Sequence, residues 1–182
     1  MSLTQLNTEQ LIEKCREQDQ NAQLEIYNRY YKAMYNTALR IIKDTAESED
    51  IMQEAFLTAF TKLSMLKDNN MFGAWLKKIV INSSLTASRK NDSYREVNLE
   101  TVEYALTDVD GIAEEDLTSI KADTILSTLN QLKDSYSTAL SLHLIEGYDY
   151  EEICQIMNIS YSNCRTLVSR AKESLRKKLE LV

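Results

Sequence analysis

Between Ser48 and Leu66, apolar side chains recur at Met52, Ala55, Phe56, Ala59, Phe60, Leu63 and Leu66, that is at i, i+3, i+4, i+7, i+8, i+11 and i+14. This spacing returns to one side of a helix at every turn and predicts an amphipathic helix. Asp44 or Thr45 is placed to cap it, and Glu47, Glu49 and Asp50 suit the positive end of its dipole. The opposite face carries Asp50, Gln53, Glu54, Thr61 and, against the pattern, Leu57. That leucine is either simply exposed or the anchor of a protein contact with a polar rim. The polar stretch KDNNMF (67–72) then breaks the helix. FGAWLKKIVINSSL begins another, with Phe72, Trp75, Leu76, Ile79 and Val80 as its buried set. The amino-terminal part thus predicts three or four amphipathic helices.

A second pattern opens near Leu132. Asp134 is placed to cap a helix over SYSTALSLHLIEG, which Gly147 ends in a left-handed conformation. Asp149 then caps a short helix from Glu151 to Met157, and Asn158 takes a left-handed turn position. From Ser160 as cap, a longer helix buries Cys164, Leu167, Val168, Ala171, Leu175 and Leu179. Its outward side holds Ser162, Asn163, Arg165, Thr166, Ser169 and Arg170. These are donors suited to base edges and phosphates, and the short helix, tight turn and basic helix fit helix-turn-helix geometry. A plain helical hairpin is the other reading of the same spacing.

Composition sharpens this picture. With no proline and three glycines in 182 residues, little is present to interrupt helices. The net charge of -7 is unevenly placed. Residues 96–134 hold ten acidic and two basic side chains, while residues 1–95 hold 12 and 13, and residues 135–182 hold six of each. The acidity therefore belongs to a middle stretch whose first part lacks a helical period and contains Gly111, the character of a linker. Residues 77–95 carry Lys77, Lys78, Arg89, Lys90 and Arg95 against Asp92, a net +4. This is either a solvated helix face or a phosphate-contacting one. Phe72 and Trp75 have the rings to stack on bases, although aromatics at helical spacing more often form core.

Three dispersed cysteines and one histidine speak against a zinc site and for reduced thiols in a cytoplasm. His143, within an apolar run, reads as a packed or capping residue, and Cys164 as core rather than a redox switch. No phosphate loop, dinucleotide fingerprint or nucleophile elbow is present, so neither an enzyme, a cofactor nor a small-molecule substrate is expected. No apolar run is long enough for membrane insertion, and no secretion signal is visible at the start.

DTAESEDIMQEAFLTAF followed by FGAWLKKIVINSS is similar to region 2 of bacterial RNA polymerase sigma factors, and IEGYDYEEICQIMNIS with VSRAKESL is similar to region 4. Together they resemble the extracytoplasmic-function class over almost the whole chain. The resemblance implies an all-α fold of two small helical domains: a region 2 bundle over 1–95 and a region 4 helix-turn-helix over 121–182, joined by a flexible acidic linker over 96–120. It implies binding to core RNA polymerase and promoter DNA, and restraint by an anti-sigma factor. Asp50, Gln53, Glu54 and Leu57 would dock on the polymerase. Asn69 and Asn70 would hold a flipped base of the minus-ten element, with Lys77, Lys78 and Asn82 along the same DNA. Ser162, Arg165, Thr166, Ser169 and Arg170 would read the minus-thirty-five element.

The chain departs from the family's pattern in four places. Val80, Ile81 and Asn82 stand where alanine, arginine and asparagine are common, so a cation is missing. Leu167 replaces a frequent base, Lys133 a proline and Asn158 a glycine. The first two departures lower intrinsic DNA affinity. One rival reading is a sigma-like mimic that sequesters an anti-sigma factor without touching a promoter. Another is an ordinary helix-turn-helix regulator, which gives the first domain no task.

Overall fold

The computed structural model describes residues 3–95 and 117–180. Described residues form helices and turns, with no strand among them. The chain divides into two compact units, Met1–Arg89 and Lys90–Val182.

The first unit is built from α1 (Thr8–Arg16), α2 (Gln20–Ile42), α3 (Thr45–Thr61) and α4, which starts the helix Phe72–Arg95. Asp44 is the α3 cap, its carboxylate accepting from the Glu47 N–H at 2.8 Å. The α-helix is shorter than its apolar stripe. It stops at Thr61, and Leu63–Met65 forms a 3-10 turn that still buries Leu63, while Leu66 is buried just beyond it. Met52, Ala55, Phe56 and Ala59 lie in a core completed by Leu11 and Ile12 of α1, Ile26 and Ala38 of α2, and Phe72, Leu76 and Val80 of α4. Each fully buried leucine, isoleucine or phenylalanine contributes about 1.5–3 kcal/mol relative to exposure. Gly73 is required where α4 meets α2, since a Cβ there would stand 2.9 Å from the Tyr30 ring.

Two expectations for α4 change. Trp75 and Ile79 are half-buried, packed against the core rather than within it. Ile81, Ser84 and Leu85 are buried in addition. The position where the resemblance leads one to expect a cation is therefore an inward one here.

The second unit contains α5 (Leu117–Asn130), α6 (Asp134–Leu140), α7 (Tyr150–Met157) and α8 (Tyr161–Leu179). Helix α5 opens within the last four residues of the stretch expected as linker, and residues 96–116 lie outside the described residues. Asp134 is not the cap. Lys133 occupies that place without a side-chain bond, and Asp134 is the first helical residue, where its carboxylate still faces the positive helix end. The expected single helix is interrupted, because Ser141–Ile145 widens into a π-helical stretch. Gly147 then takes φ +80. Leu140, Leu142, Ile153, Cys164, Val168 and Ala171 are fully buried, whereas Leu167 and Leu179 are only half-buried.

Candidate functional site

The turn between α7 and α8 is fixed at both ends by local hydrogen bonds. Asp149 accepts from Glu152 N–H at 2.8 Å, and the Glu152 carboxylate accepts from Asp149 N–H at 3.1 Å, a reciprocal cap on α7. Asn158 adopts φ 55, ψ 51 and its N–H donates to the Cys154 carbonyl, ending α7 in a left-handed residue. Ser160 then caps α8 by accepting from the Asn163 N–H. Asp149 thus starts α7, Asn158 ends it and Ser160 starts α8.

Ser162, Arg165, Thr166, Ser169 and Arg170 are all exposed and line one shallow concavity of about 490 Å³ on α8. Neither Arg165 nor Arg170 makes a hydrogen bond or ion pair among the described residues, so both guanidinium forks are open to an anion or a base edge. Thr166 spends its hydroxyl proton on the Ser162 carbonyl at 3.0 Å. Tyr161, which the sequence reading did not single out, lines the same concavity. Its signal was position, since it lies one turn before Arg165 on the same stripe.

In the first unit, Asp50, Gln53, Glu54 and Leu57 are exposed in one stripe along α3. Leu57 keeps 68% of its surface open, although the buried side of the same helix is fully packed. Gln53 donates to Glu49 at 3.2 Å, which orders the rim beside it. Asn69 and Asn70 lie in a 3-10 turn capped by Asp68. Arg16 clamps this turn by donating to the Leu66 carbonyl at 2.8 Å and to Asn69 Oδ1 at 3.0 Å. One acceptor position of Asn69 is therefore already used, while Asn70 is exposed with its amide near Asp68. On α4, Lys78 and Asn82 are exposed one turn apart, and Lys77 is half-buried beside them. Phe72 is wholly buried beneath Tyr30 and cannot stack on a base.

His143, Cys15 and Cys164 lie outside these faces and take part in packing. His143 places Nδ1 3.1 Å from the Tyr148 carbonyl and stacks on Tyr150. Burial, helped by Asp19, pushes the Cys15 thiol from 9.0 to about 11. Burial and then a hydrogen bond with Cys154 push Cys164 from 9.0 to about 11. At pH 8 iodoacetamide is expected to label half-buried Cys154 first, with Cys15 and Cys164 slower by at least about tenfold, followed by peptide mass mapping. Equal labelling would show that the two thiols are not held in the cores. Both thiols stay protonated in the fold while the unfolded chain sheds protons above pH 9.0, so stability should fall as pH rises from 9 towards 11.

No described helix is long and apolar enough to cross a membrane. A family model described as Sigma-70 region 2 matches residues 26–94, and one described as Sigma-70, region 4 matches residues 122–175. The ECF RNA polymerase sigma factor SigW of Bacillus subtilis is 31% identical over 176 residues, covering 92% of this chain and 94% of its own. The RNA polymerase sigma-H factor of Pseudomonas aeruginosa is 29% identical over 186 residues, covering 98% and 96%. The fold is shared with the sigma factor RpoE in its complex with the anti-sigma factor NepR from Bartonella quintana, at a TM-score of 0.61 and 20% identity over 86% of this chain and 95% of that one. It is shared also with CnrH in complex with the cytosolic domain of CnrY, at a TM-score of 0.55 and 19% identity over 96% and 97%.

Proposed function

Because the chain belongs to the extracytoplasmic-function class of bacterial RNA polymerase sigma factors, we propose a division of labour for its exposed faces in transcription initiation. Residues 1–95 act as region 2 and residues 121–182 as region 4, with the acidic stretch 96–120 as a tether. The α3 stripe of Asp50, Gln53, Glu54 and Leu57 docks on core RNA polymerase. The clamped turn at Asn69 and Asn70, with Lys77, Lys78 and Asn82 of α4, engages the minus-ten element. Ser162, Arg165, Thr166, Ser169 and Arg170 of α8 read the minus-thirty-five element. Extruding a base costs a few kcal/mol, and a turn held by Arg16 supplies a fixed receiver for it.

The observation that carries this reading is the pair of unpartnered guanidinium groups on the outer face of α8. An anti-sigma factor is the expected restraining partner, a reading supported by the shared fold with the sigma factor RpoE, which was solved with the anti-sigma factor NepR bound. The factor works in the cytoplasm and catalyses nothing itself.

Phosphate contacts set DNA affinity through counterion release, and few cations are offered here. Neither domain alone should hold DNA tightly. Attachment to the polymerase raises the effective promoter concentration at both sites, so weak base contacts suffice. The test is run-off transcription from genomic fragments with core polymerase. Transcripts with defined starts that require this protein are expected. No binding to core at all would favour the mimic.

A further inference from the structure

We propose that Tyr161 is a base-reading residue whose open ring face takes the 5-methyl group of a thymine in the minus-thirty-five element. The inference rests on α8 being the helix that enters the major groove. Tyr161 is the first residue of α8, directly after the Ser160 cap, and the amino-terminal turn of such a helix reaches base edges. It retains 49% of its surface and shares the concavity of Ser162, Arg165, Thr166, Ser169 and Arg170.

The ring is exposed but not loose. Tyr150 and Tyr161 meet in a T-shaped contact, with centroids 6.4 Å apart and planes at 88°. Tyr150 in turn stacks on His143 at 5.0 Å and 20°, and His143 is held at the Tyr148 carbonyl. The rings of Tyr150 and His143 therefore stand in line behind Tyr161. An aromatic fixed before binding loses little side-chain entropy on contact, which is how exposed tyrosines serve as anchors.

Chemistry selects the thymine. Arg165, Arg170, Ser162 and Ser169 supply donors, which suit guanine edges and phosphates. A ring face offers no donor, and the apolar group that a base pair shows in the major groove is the thymine methyl. Tyr150 and His143 act as positioning residues, since they reach the DNA only through Tyr161.

The test transcribes a library randomised over the minus-thirty-five element with core polymerase and wild type, Tyr161→Ala, Tyr161→Phe, Tyr150→Ala, Tyr150→Phe or Arg165→Ala. Wild type should enrich thymine at one position, and replacing it by deoxyuridine should lower transcription about three- to fourfold, the worth of one buried methyl. Tyr161→Ala should lose that enrichment and be blind to deoxyuridine, while Tyr161→Phe keeps both. Tyr150→Ala should blunt the methyl effect and Tyr150→Phe restore it. If Tyr161→Ala keeps the wild-type base distribution while Arg165→Ala loses it, the inference is wrong and the reading of α8 stands. If wild type and Arg165→Ala select no sequence at all, the reading of α8 fails and takes the inference with it.

Discussion

Replacing Arg165 and Arg170 together by alanine is expected to cut transcription from a cognate promoter by at least about thirtyfold while leaving core-polymerase binding unchanged. Each bidentate contact to a base is worth about 1–3 kcal/mol, and each phosphate contact adds a counterion-release term. Both side chains are exposed, and neither has a partner among the described residues, so their removal leaves no cavity and no stranded charge. The melting temperature should therefore hold, which separates a reading defect from a folding defect. Run-off transcription at several salt concentrations provides the measurement. Activity should fall more at high salt, as the remaining phosphate contacts are screened. Unchanged promoter output in the double variant would mean that this face does not read DNA, and the residues that select the promoter would have to be sought elsewhere.

Much of this face was legible in the sequence because its determinants are local. Asp149, Asn158 and Ser160 each act within three or four residues of themselves, so capping and turn chemistry found them. The α3 stripe was equally legible on both its sides. The sequence was misleading where tertiary packing overrides local pattern. Asp134 looked like a cap, but the chain enters that helix one residue earlier. Leu63 and Leu66 continued the helical count although the backbone had already tightened into a 3-10 turn. With few glycines available, Gln18 and Lys43 take left-handed conformations at φ 63 and φ 61, and neither residue type signals that. The Arg16 clamp on the Asn69 turn joins residues 53 positions apart, beyond the reach of any periodic pattern. Tyr161 was missed for a related reason. An aromatic next to a cap looks incidental until the rings of Tyr150 and His143 are seen behind it.

Leu57→Ala is expected to weaken binding to core polymerase by about thirtyfold, the effect of losing a central apolar anchor worth roughly 2 kcal/mol. The argument starts from a contrast within one helix. On its inner side, α3 buries Met52, Ala55, Phe56 and Ala59 almost completely, whereas Leu57 leaves 68% of its surface in water. Its neighbours one turn away, Gln53, Glu54 and Thr61, are polar and exposed, as is Asp50 a turn further along. A solvent-facing leucine ringed by polar side chains has the make-up of an interface centre and its rim. Asp50→Ala and Gln53→Ala should each change affinity by less than about 1 kcal/mol, because rim contacts remain partly solvated. Thermal unfolding of Leu57→Ala should match the wild type, since no buried contact is lost. Affinity for immobilised core polymerase is the quantity to measure, with Arg165→Ala as the variant that should bind normally. Equal affinity for wild type and Leu57→Ala would make Leu57 one more exposed leucine, and the docking surface would have to be sought on another face of the first unit.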